Sequence, residues 1–343
     1  MVGHLKFRAR EGDFIESSEG LIFDVKGMLH PPDRTIAYLR YVPDKSGPRE
    51  RRGVNYRKVY DLACRAQLLR TRWPEYLCAD PVFNREIQAV PKAKVKQHYL
   101  PNEKLRQLQR AAEPDKLQQA VVDMALILGR EAGVPAFRIG VSGSILVDLH
   151  TSRSDIDLIL YGSHAARKCY SKLLMLLGAR SQGFNPYGER DVRRLYVQRK
   201  QGASMPFKAF LRHERLKVLQ GKFKGTEYFI RCVRDWGEWQ ENYGDRKYYP
   251  HGRATVHAMI SDDTESIFTP CTYGLADATG AGKLRAPTQI VSFRGRFCEQ
   301  AHMGERILAR GTLEKVVDEH GDEYRLVIGE NPRDSLTVVG RRG

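Results

Sequence analysis

No run of about 18 apolar residues occurs in this chain, which excludes a membrane-spanning helix. The opening Met1-Val2-Gly3-His4-Leu5-Lys6 has no apolar signal core and leads straight into strand-like sequence, so a cytoplasmic chain is expected. Cysteine is sparse: Cys64, Cys78, Cys169, Cys232, Cys271 and Cys298 are scattered, with no CxxC pair and no Cys/His cluster. That excludes a disulfide or zinc framework and reads as reduced, mostly buried thiols. No internal repeat is visible, which argues against a solenoid. Acidic residues are in deficit, 41 against 57 Lys and Arg, leaving a net charge of +16. A basic surface concentrates polyanions and makes RNA the expected partner. A merely solvated Lys/Arg-rich surface gives the same count.

The apolar fraction of 41% and charged fraction of 29% are those of an ordinary globular protein. A length of 343 residues exceeds one core and predicts about two or three domains. The expected class is α+β. Residues 1–100 read as a β-rich region plus a helix, 101–240 as a mixed-sheet core, and 241–343 as a small β-barrel or sandwich.

Alternation and turn residues predict a hairpin over Asp13–Val25 and a strand over Thr35–Val42. Residues 44–55 read as a polar loop whose Arg49, Arg51 and Arg52 either meet phosphate or are solvated. A helix is expected over 56–72 with Val59, Leu62, Ala63, Ala66 and Leu69 as its apolar stripe. Pro91 and Pro101 flank a connector, and a long helix starts at Asp115 and stops at Gly133. A helix over His164–Leu177 is expected to bury Cys169, Leu173, Leu174, Met175 and Leu177. Val192–Gln198 reads as a strand or a helix edge, Pro206–Gln220 as a basic helix, and Glu227–Val233 as a strand.

The most informative stretch is Gly143-Ser144 followed by Ser154-Asp155-Ile156-Asp157-Leu158. In a strand alternate residues share a face, so Asp155 and Asp157 point one way while Ile156, Leu158 and Leu160 enter a core. Two like charges side by side disfavour joint ionisation and call for a cation. Hard divalent ions take carboxylates plus substrate phosphates. Gly143 lets the backbone approach a phosphate, and Ser144 offers a hydroxyl. Backbone N–H groups at the following helix start can hold anionic oxygens.

Val141-Ser142-Gly143-Ser144, ten further residues, and then Asp155-Ile156-Asp157 resemble the motif of the polymerase β-type nucleotidyltransferase superfamily. The whole chain also resembles a group of uncharacterised archaeal predicted nucleotidyltransferases. The resemblance implies a metal-dependent enzyme that moves a nucleoside monophosphate from an NTP such as ATP to a hydroxyl acceptor, with RNA the expected acceptor. It implies Mg²⁺ or Mn²⁺ held by Asp155 and Asp157, with nucleotide contacts from Gly143 and Ser144; Arg153, next to the pair, either touches phosphate or is a cap or solvated loop residue. It also implies a third carboxylate on a later strand, for which Glu227 is the first choice and Asp191 the second. The Arg-Gly pair usual after Gly-Ser is absent here; Ile145-Leu146-Val147-Asp148 takes its place. Without a third carboxylate, the fold would instead serve a non-catalytic RNA-binding protein.

Two further segments bear on nucleic acid. Lys208, Arg212, Arg215, Lys222 and Lys224 lie on a basic amphipathic stretch and are expected to contact a nucleic-acid backbone, with an ordinary solvated face as the alternative. Trp236, Trp239, Tyr243, Tyr248 and Tyr249 form an aromatic run that either stacks on bases or packs a domain junction.

Overall fold

A computed structural model describes residues 8–199, 205–280 and 285–341. The Met1–Lys6 segment lies outside the described residues. The described chain is α+β, with seven α-helices and three sheets.

The first sheet is antiparallel and built from β1 (Phe14–Ser17), β2 (Ile22–Val25), β3 (Arg34–Pro43), β4 (Arg49–Arg51), β5 (Val54–Lys58), β6 (Leu77–Asp80), β7 (Arg85–Pro91) and β8 (Val95–Tyr99). The expected hairpin is β1–β2, with Phe14 opposite Asp24. The expected loop over 44–55 is instead the β4–β5 hairpin, with Arg51 opposite Val54. Its arginines correct the phosphate expectation in part. Arg51 is buried and pairs with Glu16, and Arg49 donates to the carbonyl of Leu149; Arg52 stays exposed. The connector before Pro101 contains a strand, β8, paired with β1.

The helix expected over 56–72 is shorter, α1 (Leu62–Arg72), capped by the Asp61 side chain. It buries Arg65 and Leu69, while Ala63 is exposed. Val59 and Leu69 of the expected stripe are buried against the sheet, but between them the guanidinium of Arg65 turns inward in place of Ala63.

The second sheet has the order β11-β12-β13-β10-β9, formed by β9 (Ile139–Val141), β10 (Ile156–Tyr161), β11 (Phe184–Asn185), β12 (Gln220–Phe223) and β13 (Thr226–Val233). It is mixed: β10 and β13 run parallel, and the other neighbours antiparallel. After α2 (Pro101–Gln109) comes α3 (Lys116–Ala132), where Asp115 accepts from the N–H groups of Leu117 and Gln118 and Gln118 returns the bond. Such a capping box stabilises a helix start by about 1 kcal/mol. Gly133 ends the helix in the left-handed region at φ +60.

The helix after β10, α5 (Ser163–Ala179), packs with α3 on the face of β10 that carries Ile156, Leu158 and Leu160. Leu174 and Met175, expected to be buried, are 56% and 64% exposed, because they lie on the side of α5 away from Leu173, Leu176 and Leu177. Val192–Gln198 falls inside a helix, α6 (Glu189–Arg199). The basic helix ends early as α7 (Phe207–Glu214), and Gln220 already begins β12.

The third sheet comprises β14 (Lys247–Asp262), β15 (Cys271–Thr279), β16 (Gln289–Ser292), β17 (Glu305–Asp318), β18 (Gly321–Val327) and β19 (Ser335–Arg341). Because β14 pairs with both β15 and β17, the path β14-β15-β16-β18-β17 closes on itself. Only β16 and β18 are parallel neighbours in it. A five-stranded ring of this kind has the strand number and closure of an OB-type barrel.

The first sheet has an apolar cluster of its own around Ile15, Phe23 and Leu39, but the second sheet and the barrel share one core. Leu158, Ile230 and Cys232 of the second sheet share one apolar cluster with Val256, Cys271 and Ile290 of the barrel. Phe14 and Tyr41 of the first sheet pack on Leu146 and Leu149.

Candidate functional site

The short helix α4 (Gly143–Leu146) connects β9 towards β10, and the main chain folds back so that the N–H of Ser142 donates to the carbonyl of Asp157 at 2.8 Å. Gly143 takes φ +64, and a Cβ there would stand 2.8 Å from Cγ of Asp157 and overlap its Oδ2. The Gly-Ser turn and the second aspartate are thus in direct contact. Ser144 is buried, and Ser142 is held from behind by a 2.7 Å bond from Oγ to the carbonyl of Gly12. Asp155 is exposed, Asp157 is half-buried, and Arg153 is exposed in the preceding loop, where its N–H donates to Thr151 Oγ1.

Asp157 titrates up to about 7, first because burial penalises its charge and then because Asp155 lies beside it. Arg231, Lys58 and Arg40 pull the other way without offsetting the rise. The ammonium of Lys58 is pushed down to about 8 by burial and Arg40, against the pull of Asp155 and Asp157. Its Nζ sits 4.9 Å from the ring centre of Tyr60. The donor set at the pair is all oxygen, which suits Mg²⁺ or Mn²⁺ rather than a soft metal.

Glu227 stands close to the pair but is engaged elsewhere. Tyr228 is the register partner of Ile156, so Glu227 occupies the place next to Asp155 on the adjacent strand. Its carboxylate pairs with Arg194. Asp191 is tied to Arg194 and Lys222. Among the described residues no three Asp, Glu, His or Cys side chains are grouped as metal ligands.

The basic stretch divides. Lys208, Arg212 and Arg215 are exposed on or just after α7. Lys222 pairs with Asp191 and Lys224 with Asp123, and Lys217 is buried against Glu214. In the aromatic run, Trp236 and Trp239 pack around Met28, Ile159 and Tyr161, and Tyr243 and Tyr248 around Phe83. Packing at the junction of the sheets accounts for those four; Tyr249 is 37% exposed.

Arg40, Lys58 and Arg231 were not expected at the site. Arg231 was legible: it shares parity with Glu227 on β13, so alternation puts it on the aspartate face. Arg40 and Lys58 arrive from the first sheet, and no local signal places them here. A cavity of about 490 Å³ opens beside them, lined by Arg40, Tyr60 and Arg231 among others.

No family model matches the chain, and no solved structure matches it. The uncharacterized protein MJ1086 of Methanocaldococcus jannaschii is 30% identical over 341 residues, which cover 97% of this chain and 98% of that protein. The chain belongs to the family of MJ1086. Because the match runs almost end to end, the MJ1086 family takes in all three sheets and not the second sheet alone. Among the described residues no helix is long and apolar enough to cross a membrane.

Proposed function

We propose that this protein is a metal-dependent nucleotidyltransferase that moves a nucleoside monophosphate from an NTP to a hydroxyl acceptor, with RNA the acceptor its charge favours. One observation carries the reading: Gly143 presses its backbone onto Asp157, on the strand face that also carries Asp155. This joins a phosphate-approaching turn to a carboxylate pair that resists joint ionisation without a cation. Asp155 and Asp157 would hold Mg²⁺ or Mn²⁺. When bound, such an ion supplies positive charge against the triphosphate and the departing pyrophosphate. The remaining work is positioning for in-line attack on the α-phosphorus. Gly143 and Ser144 border the nucleotide, Arg153 reaches it from the loop, and Glu227 serves as third carboxylate once turned away from Arg194.

A second reading, a non-catalytic RNA-binding protein with a degenerate transferase fold, is favoured by the ion pair that holds Glu227 and by the lack of a three-ligand group among the described residues. Labelled NTPs, Mg²⁺ or Mn²⁺ and total RNA, given to wild type and to Asp155→Ala/Asp157→Ala, decide between them. Metal-dependent incorporation lost in the double variant is expected. No incorporation or pyrophosphate release with any NTP, alongside RNA binding that survives the substitutions, would leave the second reading.

A further inference from the structure

The cavity lined by Arg40 and Arg231, both of which act electrostatically on Asp157, lies where all three sheets meet, and its volume of about 490 Å³ is that of a small-molecule site. Six cationic and three acidic side chains line it. Each acid has a cationic partner, although Oδ1 of Asp24 accepts no hydrogen bond. Asp24 pairs with Lys26 and Arg231, Glu330 with Arg85, and Glu86 with Arg70. Three lining cations remain. Arg40 from β3, Arg65 from α1 and Arg294 from the turn after β16 form no ion pair with a carboxylate among the described residues.

These three lie close enough to repel. Burial, then Arg40, push the guanidinium of Arg65 down, Asp24 pulls the other way without offsetting the shift, and Arg294 adds to it; Arg294 is itself pushed down by burial and then by Arg40, against Tyr38 and Asp24. Arg65 is only 5% exposed, and the one hydrogen bond of its side chain among the described residues is from Nε to the carbonyl of Val59, at 3.0 Å. A buried charge is costly unless paired, and a guanidinium does not shed its proton to escape the cost. Beside them, Nε of Arg296 is buried without a partner. Such a group calls for an anion, and the guanidinium fork matches phosphate oxygens in pairs.

The cluster is linked to the aspartates through shared neighbours. Arg40 acts electrostatically on both Asp157 and Arg65. Gly295, next to Arg294, is packed against Phe229, where a Cβ would come within 2.9 Å of Cε1; Phe229 is the register partner of Asp157. We propose that this cavity is a phosphate-binding site in which Arg40, Arg65 and Arg294 grip the phosphates of a ligand whose other end reaches Asp155 and Asp157. Two sources supply that chemistry: the triphosphate of the nucleotide, or a terminal phosphate of the acceptor RNA. The choice between them rests on the transfer reading; the site does not.

The test uses the full chain and inorganic tripolyphosphate without divalent metal, by titration calorimetry. Wild type is expected to bind, and Arg65→Gln and Arg294→Gln to bind about tenfold or more weakly, the loss of one charged hydrogen-bonding group. In phosphate-free buffer Arg294→Gln should melt no lower than wild type, since it relieves repulsion; a merely structural arginine would lower the melting temperature. Arg294 is partly exposed, so this variant keeps the test alive if Arg65→Gln fails to fold. Failure of wild type to bind, or equal binding by both variants, overturns the proposal.

Displacement by ATP but not adenosine assigns the nucleotide. Displacement by a 5′-phosphorylated oligoribonucleotide but not its 5′-hydroxyl counterpart assigns the acceptor. Displacement by neither overturns the extended ligand. Asp155→Asn/Asp157→Asn should retain tripolyphosphate binding, so loss of transfer and loss of this site are read separately.

Discussion

The backbone of Gly143 rests on the carboxylate of Asp157, with no room between them for a methyl group. The turn that precedes the strand therefore sets where the second aspartate points. The left-handed φ of +64 adds a second reason for glycine at this position.

Gly143→Ala combines a left-handed backbone with a clash against a half-buried side chain. It is expected to lower unfolding stability by about 1–3 kcal/mol and to displace Asp157. Denaturant midpoints and Mn²⁺ binding measure the two effects. A midpoint and an affinity equal to wild type would show that the contact is not structural.

Glu227 and Arg194 make a test of catalytic competence. If Glu227 swings in to complete the site, Glu227→Gln lowers turnover by about a hundredfold or more, within the range for loss of an essential electrostatic group. Arg194→Gln, which frees the carboxylate, should leave turnover equal or higher. Unaltered turnover in Glu227→Gln would remove this residue from the chemistry.

Acid should weaken the fold through His213. Burial, and next Lys217, push its imidazole down to about 4 from 6.5. The unfolded chain therefore binds more protons between those values, and stability, full above about pH 6.5, falls as pH drops towards 4. The loss reaches about 3 kcal/mol at 1.36 kcal/mol per pH unit. His30 is shifted in the same direction, chiefly by burial, and adds to the same limb. Urea unfolding across this range should show a shallower acid limb for His213→Gln. An identical limb would place the proton uptake elsewhere.

RNA binding, if it uses α7, rests on Lys208, Arg212 and Arg215, since Lys222 and Lys224 are tied to Asp191 and Asp123. Replacing the three exposed residues with Gln should make the slope of log affinity against log salt less negative by about 2–3. Replacing Lys222 and Lys224 should change it less. A slope unchanged by the triple substitution would make α7 a solvated face.

Much of the second sheet was legible. Alternation at Asp155–Leu160 placed three apolar residues under α3 and α5 and two carboxylates on the other face, and both ends of α3 were written in Asp115 and Gly133. The misreadings share a cause. Apolar spacing predicts the α1 stripe, but Arg65 turns inward towards a cavity that Arg294 and Glu330, distant in sequence, help to line. Leu174 and Met175 fit the composition of a buried helix face, but α5 has neighbours on one side only. Arg49 and Arg51 looked like phosphate ligands because charge in sequence does not reveal the carbonyl or carboxylate that meets it.

The sequence by itself determined the carboxylate pair, the glycine turn and their spacing, because strand alternation and backbone freedom act over a few residues. Only the tertiary structure decided what faces the pair. Arg40 and Lys58 come from about a hundred residues upstream, and Arg294, which lines the adjoining cavity with Arg40, from more than a hundred downstream. Their positions follow from how three sheets bury shared apolar surface, and burial is a collective property that no local pattern encodes.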